Sequence, residues 1–143
     1  MKKLLIFMAV AILAYGYFQD QDYTFSGSPS VGETNRVIQD AYANRQSDIQ
    51  VRGQGTVVKV LGDDLQGSRH QKFIVKLGSG MTVLVSHNID LAPRVDGLRE
   101  GDTVEFFGEY EWNDRGGVIH WTHHDPAGRH VDGWIEHKGR TYR

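Results

Sequence analysis

The chain has 143 residues, room for one domain and hardly two. Its 16 Lys and Arg against 18 Asp and Glu give a formal charge of -2, and 39% of the residues are apolar, too many for a disordered chain. Cysteine is absent, which excludes a disulfide scaffold, a thiolate zinc site, an iron–sulfur cluster and a thiol nucleophile.

Residues 1–20 read MKKLLIFMAVAILAYGYFQD. Two lysines followed by an uncharged, mostly apolar run to Phe18 form the pattern of an export signal, residues 1–18, with Ala14 and Gly16 as candidate cleavage positions. This predicts a periplasmic or secreted protein. The alternative is a retained anchor in the inner membrane over residues 4–18, although a span of the hydrocarbon takes roughly 20 residues. Without Lys2 and Lys3 the body carries 14 basic against 18 acidic residues, near -4.

Residues 19–32 are polar and read as a linker. A short amphipathic helix is predicted over 33–46, with Val37, Ile38, Ala41 and Tyr42 on its apolar face and Asn35, Arg36, Gln39 and Asp40 on the other. From Val51 the pattern changes to short alternating runs between Gly and Asp clusters. The first strand, 51–61, holds Gly53 and Gly55, where a barrel strand bends. After the loop GDDLQGSR, strand 70–77 puts Phe73, Val75 and Leu77 on one face, and strand 81–88 does the same with Met81, Val83 and Val85. The connection 89–102 has room for one helical turn. Strand 102–112 alternates Val104, Phe106, Tyr110 and Trp112 against Glu105, Glu109 and Glu111, with Phe107 on the glutamate face. The hairpin NDRGG leads to a fifth strand, 118–124, and the tail 126–143 forms one extra segment. Five strands in this order predict a mainly β fold: a five-stranded OB-fold-like Greek-key barrel preceded by one short helix, over residues 33–143.

Three constellations carry chemistry. Five of the seven histidines lie between 120 and 137, and His, Asp and Glu bind divalent metals without thiols. If the fifth strand runs to 124, His120 and His124 share a face opposite His123, beside Glu109 or Glu111, with Asp125 or His130 nearby. His120, His124, Asp125 and Glu109 are therefore the metal candidates; the alternative is that these histidines hydrogen-bond loops in place. The second set ends strand three: His87, Asn88, Asp90 and Arg94 either line a ligand site or cap the chain, with Arg94 pairing Asp90 or Asp96. The third is the loop after strand one. Asp63 and Asp64 can bind a cation through oxygen, and Arg69, His70 and Gln71 can hold an anion or an amide; a solvated turn is the alternative.

The runs GSRHQKFIVKL, HNIDLAPR, GEYEWNDRGGVIHWTHHDP and GRHVDGWIEHKGRTY resemble a bacterial family of small exported domains known only by a domain-of-unknown-function label, over residues 50–142. The resemblance implies a family and no activity. GTVVKVLGDD and VLVSHNIDLAP are also similar to parts of thermonuclease-type OB barrels. That likeness implies calcium-binding roles for Asp63 or Asp64 and for Asp90, although no arginine precedes Asp90 on its strand.

Two function classes follow, beside a third reading, a purely structural envelope protein with no site. The first is an exported binding module whose partner is a small polar or anionic ligand, an oligosaccharide or a protein. A long nucleic acid is disfavoured because the net charge repels a polyanion. The second is a nuclease-like hydrolase with catalytic candidates Asp63, Asp64 and Asp90, joined by His120 and His124 around a divalent ion that activates water.

Overall fold

The structure, a computed structural model, describes residues 27–143. The expected export segment 1–18 and most of the linker lie outside the described residues. Helix α1 spans Val31–Ala43. It starts two residues before the expected 33 because Ser30 and Glu33 form a capping box: Glu33 N–H donates to Ser30 Oγ at 3.3 Å, and Ser30 N–H donates to Glu33 Oε2 at 2.7 Å. It ends at Asn44, before Arg45 turns left-handed at φ 51°.

The helix is rotated from the expected face. Asn35, Ile38 and Ala41 are buried, whereas Val37 is 46% exposed. Asn35, expected on the polar side, acts as a strand surrogate. Its Nδ2 donates to Gln54 O at 2.9 Å, and Gln54 N–H donates to its Oδ1 at 3.0 Å.

Seven strands follow: β1 Ile49–Val60, β2 His70–Lys76, β3 Thr82–Asn88, β4 Thr103–Glu111, β5 Val118–His120, β6 Trp134–His137 and β7 Arg140–Tyr142. The first five pair in the order β1-β2-β3-β5-β4 and close through β1–β4, with only β3–β5 parallel among the pairs of that ring. This is the predicted OB-like barrel. β1 serves two neighbours, pairing with β4 over 49–56 and with β2 over 56–60. Gly55 stands at the approach to β2, where a Cβ would run into Lys76 O, and Gly53 makes room for the helix, since a Cβ there would stand 2.5 Å from the Phe106 ring and 2.7 Å from Ile38 Cδ1. The helix thus packs through Ile38 onto the inner face of the barrel.

The core takes alternate residues from each barrel strand, among them Val57, Phe73, Val75, Val83, Val85, Phe106, Tyr110 and Ile119. Each such side chain contributes roughly 1.5–3 kcal/mol when fully buried. The alternation expected for β2, β3 and β4 is the alternation observed.

Three local expectations are corrected. The fifth strand ends at His120, not 124, because Trp121 takes a left-handed φ of 55° and the chain turns out of the sheet. The tail is a β6–β7 hairpin, and β6 pairs with the first half of β4. The connection 89–102 has turns and no helix; it is held by Gln71, whose amide bonds both Val95 O at 3.0 Å and Val95 N at 2.8 Å.

Candidate metal centre

On the outer face of β4, Glu105, Phe107, Glu109 and Glu111 alternate with the core residues. Cross-strand register puts Gln50 of β1 beside Glu109, and Glu109 beside His120 of β5. His120 Nε2 lies 3.5 Å from Glu109 Oε2 and 3.5 Å from Glu111 Oε1. Among the described residues this is the group of three metal-ligating side chains whose ligand atoms all lie within 4.8 Å of one another. A point equidistant from three atoms so arranged lies no more than about 2.4 Å from each, close to zinc–nitrogen and zinc–oxygen distances.

Two buried polar atoms without a hydrogen-bond partner flank this spot: His120 Nε2 and Gln50 Nε2. Both belong to the same cross-strand row as Glu109. The His120 imidazole nitrogen can offer its lone pair to a bound ion, whereas the Gln50 amide nitrogen is a donor that could only bond a water or anion on that ion. Burial raises the Glu111 carboxyl above the ordinary carboxylate range, and the neighbouring Asp48 carboxyl raises it further, partly offset by His120.

His130 completes the rim. Its Nε2 lies 3.1 Å from Glu109 Oε2, and its ring stacks on Trp121 at 4.0 Å and 7°. The turn that carries it is built by Asp125, whose carboxylate accepts the backbone N–H groups of Ala127, Arg129 and His130 at 3.0, 2.8 and 2.8 Å. Those N–H groups hold the Asp125 carboxyl below the usual range, His130's being the largest influence.

Two of the four metal candidates, Glu109 and His120, therefore meet, together with Glu111. Asp125 is buried and occupied in its turn, so it does not join them. His124 does not share a face with His120, because β5 ends first; it is exposed, with Nδ1 2.7 Å from Asp132 Oδ2. His123 is buried, and its Nδ1–H donates to His124 O at 2.7 Å.

The other predicted residues form a second network, between the loop 62–71 and the chain after β3. Asp63 pairs Arg94 through two bonds of 2.9 and 3.1 Å. Asp64 pairs Lys72 at 2.9 Å. Asp90 accepts from Arg69 N at 2.9 Å and from Arg69 Nε at 2.7 Å, and these two bonds hold its carboxyl low. Arg94 thus finds Asp63 first, with Asp96 at 3.7 Å, and it does not pair with Asp90. His70 Nδ1–H donates to Ser68 O at 2.8 Å. Asn88 closes the turn after β3: its Oδ1 accepts from Asp90 N and Leu91 N at 2.9 and 3.2 Å.

Two predicted ligand contacts are interior groups. Gln71 is fully buried with both ends of its amide used on Val95. His87 is fully buried; its Nε2–H donates to Pro93 O at 2.9 Å and its Nδ1 accepts from the Thr122 hydroxyl at 2.8 Å. Burial pushes the His87 imidazole down to about 4. Neither can reach a ligand outside the barrel.

Asp48 and Gln50 had no signal in the sequence, since their place beside β4 depends on register. The fold is that of the small closed β-barrels. The chain matches the family model "Protein of unknown function (DUF3465)" over residues 22–143, and it belongs to that family. No curated protein matches it.

Proposed function

We propose that this protein is an exported barrel module that binds a divalent transition-metal ion on the outer face of β4 and β5. Glu109, Glu111 and His120 are the ligands. The observation that carries the reading is the unpartnered, buried Nε2 of His120, 3.5 Å from two carboxylates. One imidazole and two carboxylates suit manganese, iron, nickel or zinc, and such a set leaves coordination positions for water or an external polar or anionic ligand. Binding displaces the proton that Glu111 retains above the ordinary carboxylate range, so affinity rises with pH.

The geometry favours binding without turnover. The hydrolase alternative needs Asp63 or Asp64, Asp90, His120 and His124 around one ion, and these side chains sit in separate networks. The test is metal content of the full chain, purified without a histidine tag. About one equivalent of metal, lost in His120→Ala and in Glu109→Gln, is the expected result. A chain that takes up no divalent ion at neutral pH overturns the proposal.

A further inference from the structure

A separate feature lies on the outer face of β2 and β3. There Lys72, Ile74 and Lys76 face out from β2, and Thr82, Leu84 and Ser86 from β3. Ile74 and Leu84 are direct cross-strand partners, and the row continues to Val118 of β5. An apolar row on the solvent side of a barrel breaks the polar-out alternation that the rest of these strands keep. The β4–β5 hairpin stands over one end of the row. Between them is a cavity of about 250 Å³, lined by Leu61, Ile74, Leu84, Asn113, Arg115 and Gly117.

The polar groups at this cavity favour an anion. Asn113 uses its side-chain oxygen on Arg115 N and Gly117 N, at 2.9 and 2.8 Å, which leaves its NH2 group to donate. Ion pairs among the described residues engage Arg52, Arg69, Lys72, Arg94 and Lys138, whereas Arg115 and Lys59 have no carboxylate within 4.0 Å. Lys59 is the β1 cross-strand partner of Ile74, so a second cation borders the same row. The volume falls just below the about 300 Å³ at which pockets for drug-sized ligands begin. It suits a molecule of about eight heavy atoms, given about 30 Å³ for each displaced water.

We propose that this cavity is a binding site for a small monocarboxylate with an apolar body, its chain on Ile74, Leu84 and Leu61 and its carboxylate on Arg115 and the Asn113 amide. The site is independent of the metal centre. An apolar floor buries the body, and a guanidinium at the mouth gives a charge-assisted bond to the head.

The test titrates the metal-free full chain with hexanoate, hexan-1-ol and acetate, followed by amide chemical shifts. Hexanoate is expected to saturate at one site that shifts Ile74, Leu84 and Arg115, and to bind at least about tenfold more tightly than the alcohol or acetate. Arg115→Gln should weaken hexanoate by about tenfold and leave hexan-1-ol unchanged. If Arg115→Gln does not fold, Arg115→Lys and Leu84→Gln serve in its place, with weaker hexanoate binding expected in both. Equal binding of hexanoate and hexan-1-ol, no saturation by about 10 mM, or an unaltered hexanoate affinity in the variants overturns the assignment. So does a leucine-ended tetrapeptide that binds at least about tenfold better than hexanoate, which would make the site one for a peptide carboxyl terminus.

Discussion

Replacing Asn35 by Ala should destabilise the protein far more than replacing Val37 by Ala, the reverse of what hydropathy suggests. Asn35 is 4% exposed and makes two hydrogen bonds, of 2.9 and 3.0 Å, to the backbone of Gln54. Alanine removes both and leaves the Gln54 N–H and C=O without that partner beneath the helix. Each unsatisfied buried group costs about 1–3 kcal/mol, and because Gln54 is only partly buried the expected loss for the two lies in the lower part of that sum, about 2–4 kcal/mol. Val37 is 46% exposed, and its loss should stay within about 0.5 kcal/mol. Urea unfolding of the two variants with unchanged slope measures the difference directly. If Val37→Ala costs more than Asn35→Ala, the helix lies on its Val37 face and the packing described here is wrong.

Gly53→Ala should cost about 1–3 kcal/mol by overpacking, because the new methyl meets Phe106 and Ile38; Gly62→Ala, in open space, should stay within about 0.5 kcal/mol in the same unfolding assay. His87, with its folded value near 4 against 6.5 unfolded, leaves the unfolded chain binding the extra proton between those values. Its contribution is complete above the unfolded value and is lost as pH falls toward 4, by up to about 3 kcal/mol. Stability measured across that window should fall steeply, and His87→Gln should flatten it; an unchanged slope would refute the buried neutral imidazole. Metal affinity should rise with pH as Glu111 gives up its proton, and Asp48→Asn, by removing the neighbouring carboxylate that raises Glu111, should move that rise to lower pH in titrations followed by calorimetry.

Strand existence was legible because period-two patterning is a local property. Phe73, Val75 and Leu77, then Val104, Phe106 and Tyr110, declare their inner face within a few residues. The observed role of the glycine pair is close packing, and the irregularity of β1 lies between Val57 and Lys59, but as a special place inside a valine-rich strand the pair was legible too. The helix face was not: Asn35 reads as polar surface, and only its reach to Gln54, nineteen residues on, makes it interior. The length of β5 was hidden for a similar reason. HWTHH continues the alternation on paper, but Trp121 leaves the strand in a left-handed turn, which sends His124 to solvent. The metal candidates were half legible. Glu109 and His120 could be paired from the hairpin between their strands, whereas Gln50 and Asp48 depend on β1–β4 register set by closure of the barrel. The acids of the loop 62–71 looked equally suited to a cation until their partners Arg94 and Lys72 were in place.

Paramagnetic broadening of backbone amides by Mn2+ tests the central claim most directly, because it locates the ion. Sub-stoichiometric Mn2+ added to the labelled chain should broaden Gln50, Glu109, Glu111, His120 and His130 first, with that effect abolished in His120→Ala. Broadening centred on Asp63, Asp64 and Asp90, or equal broadening in the variant, would contradict the metal centre on β4 and β5.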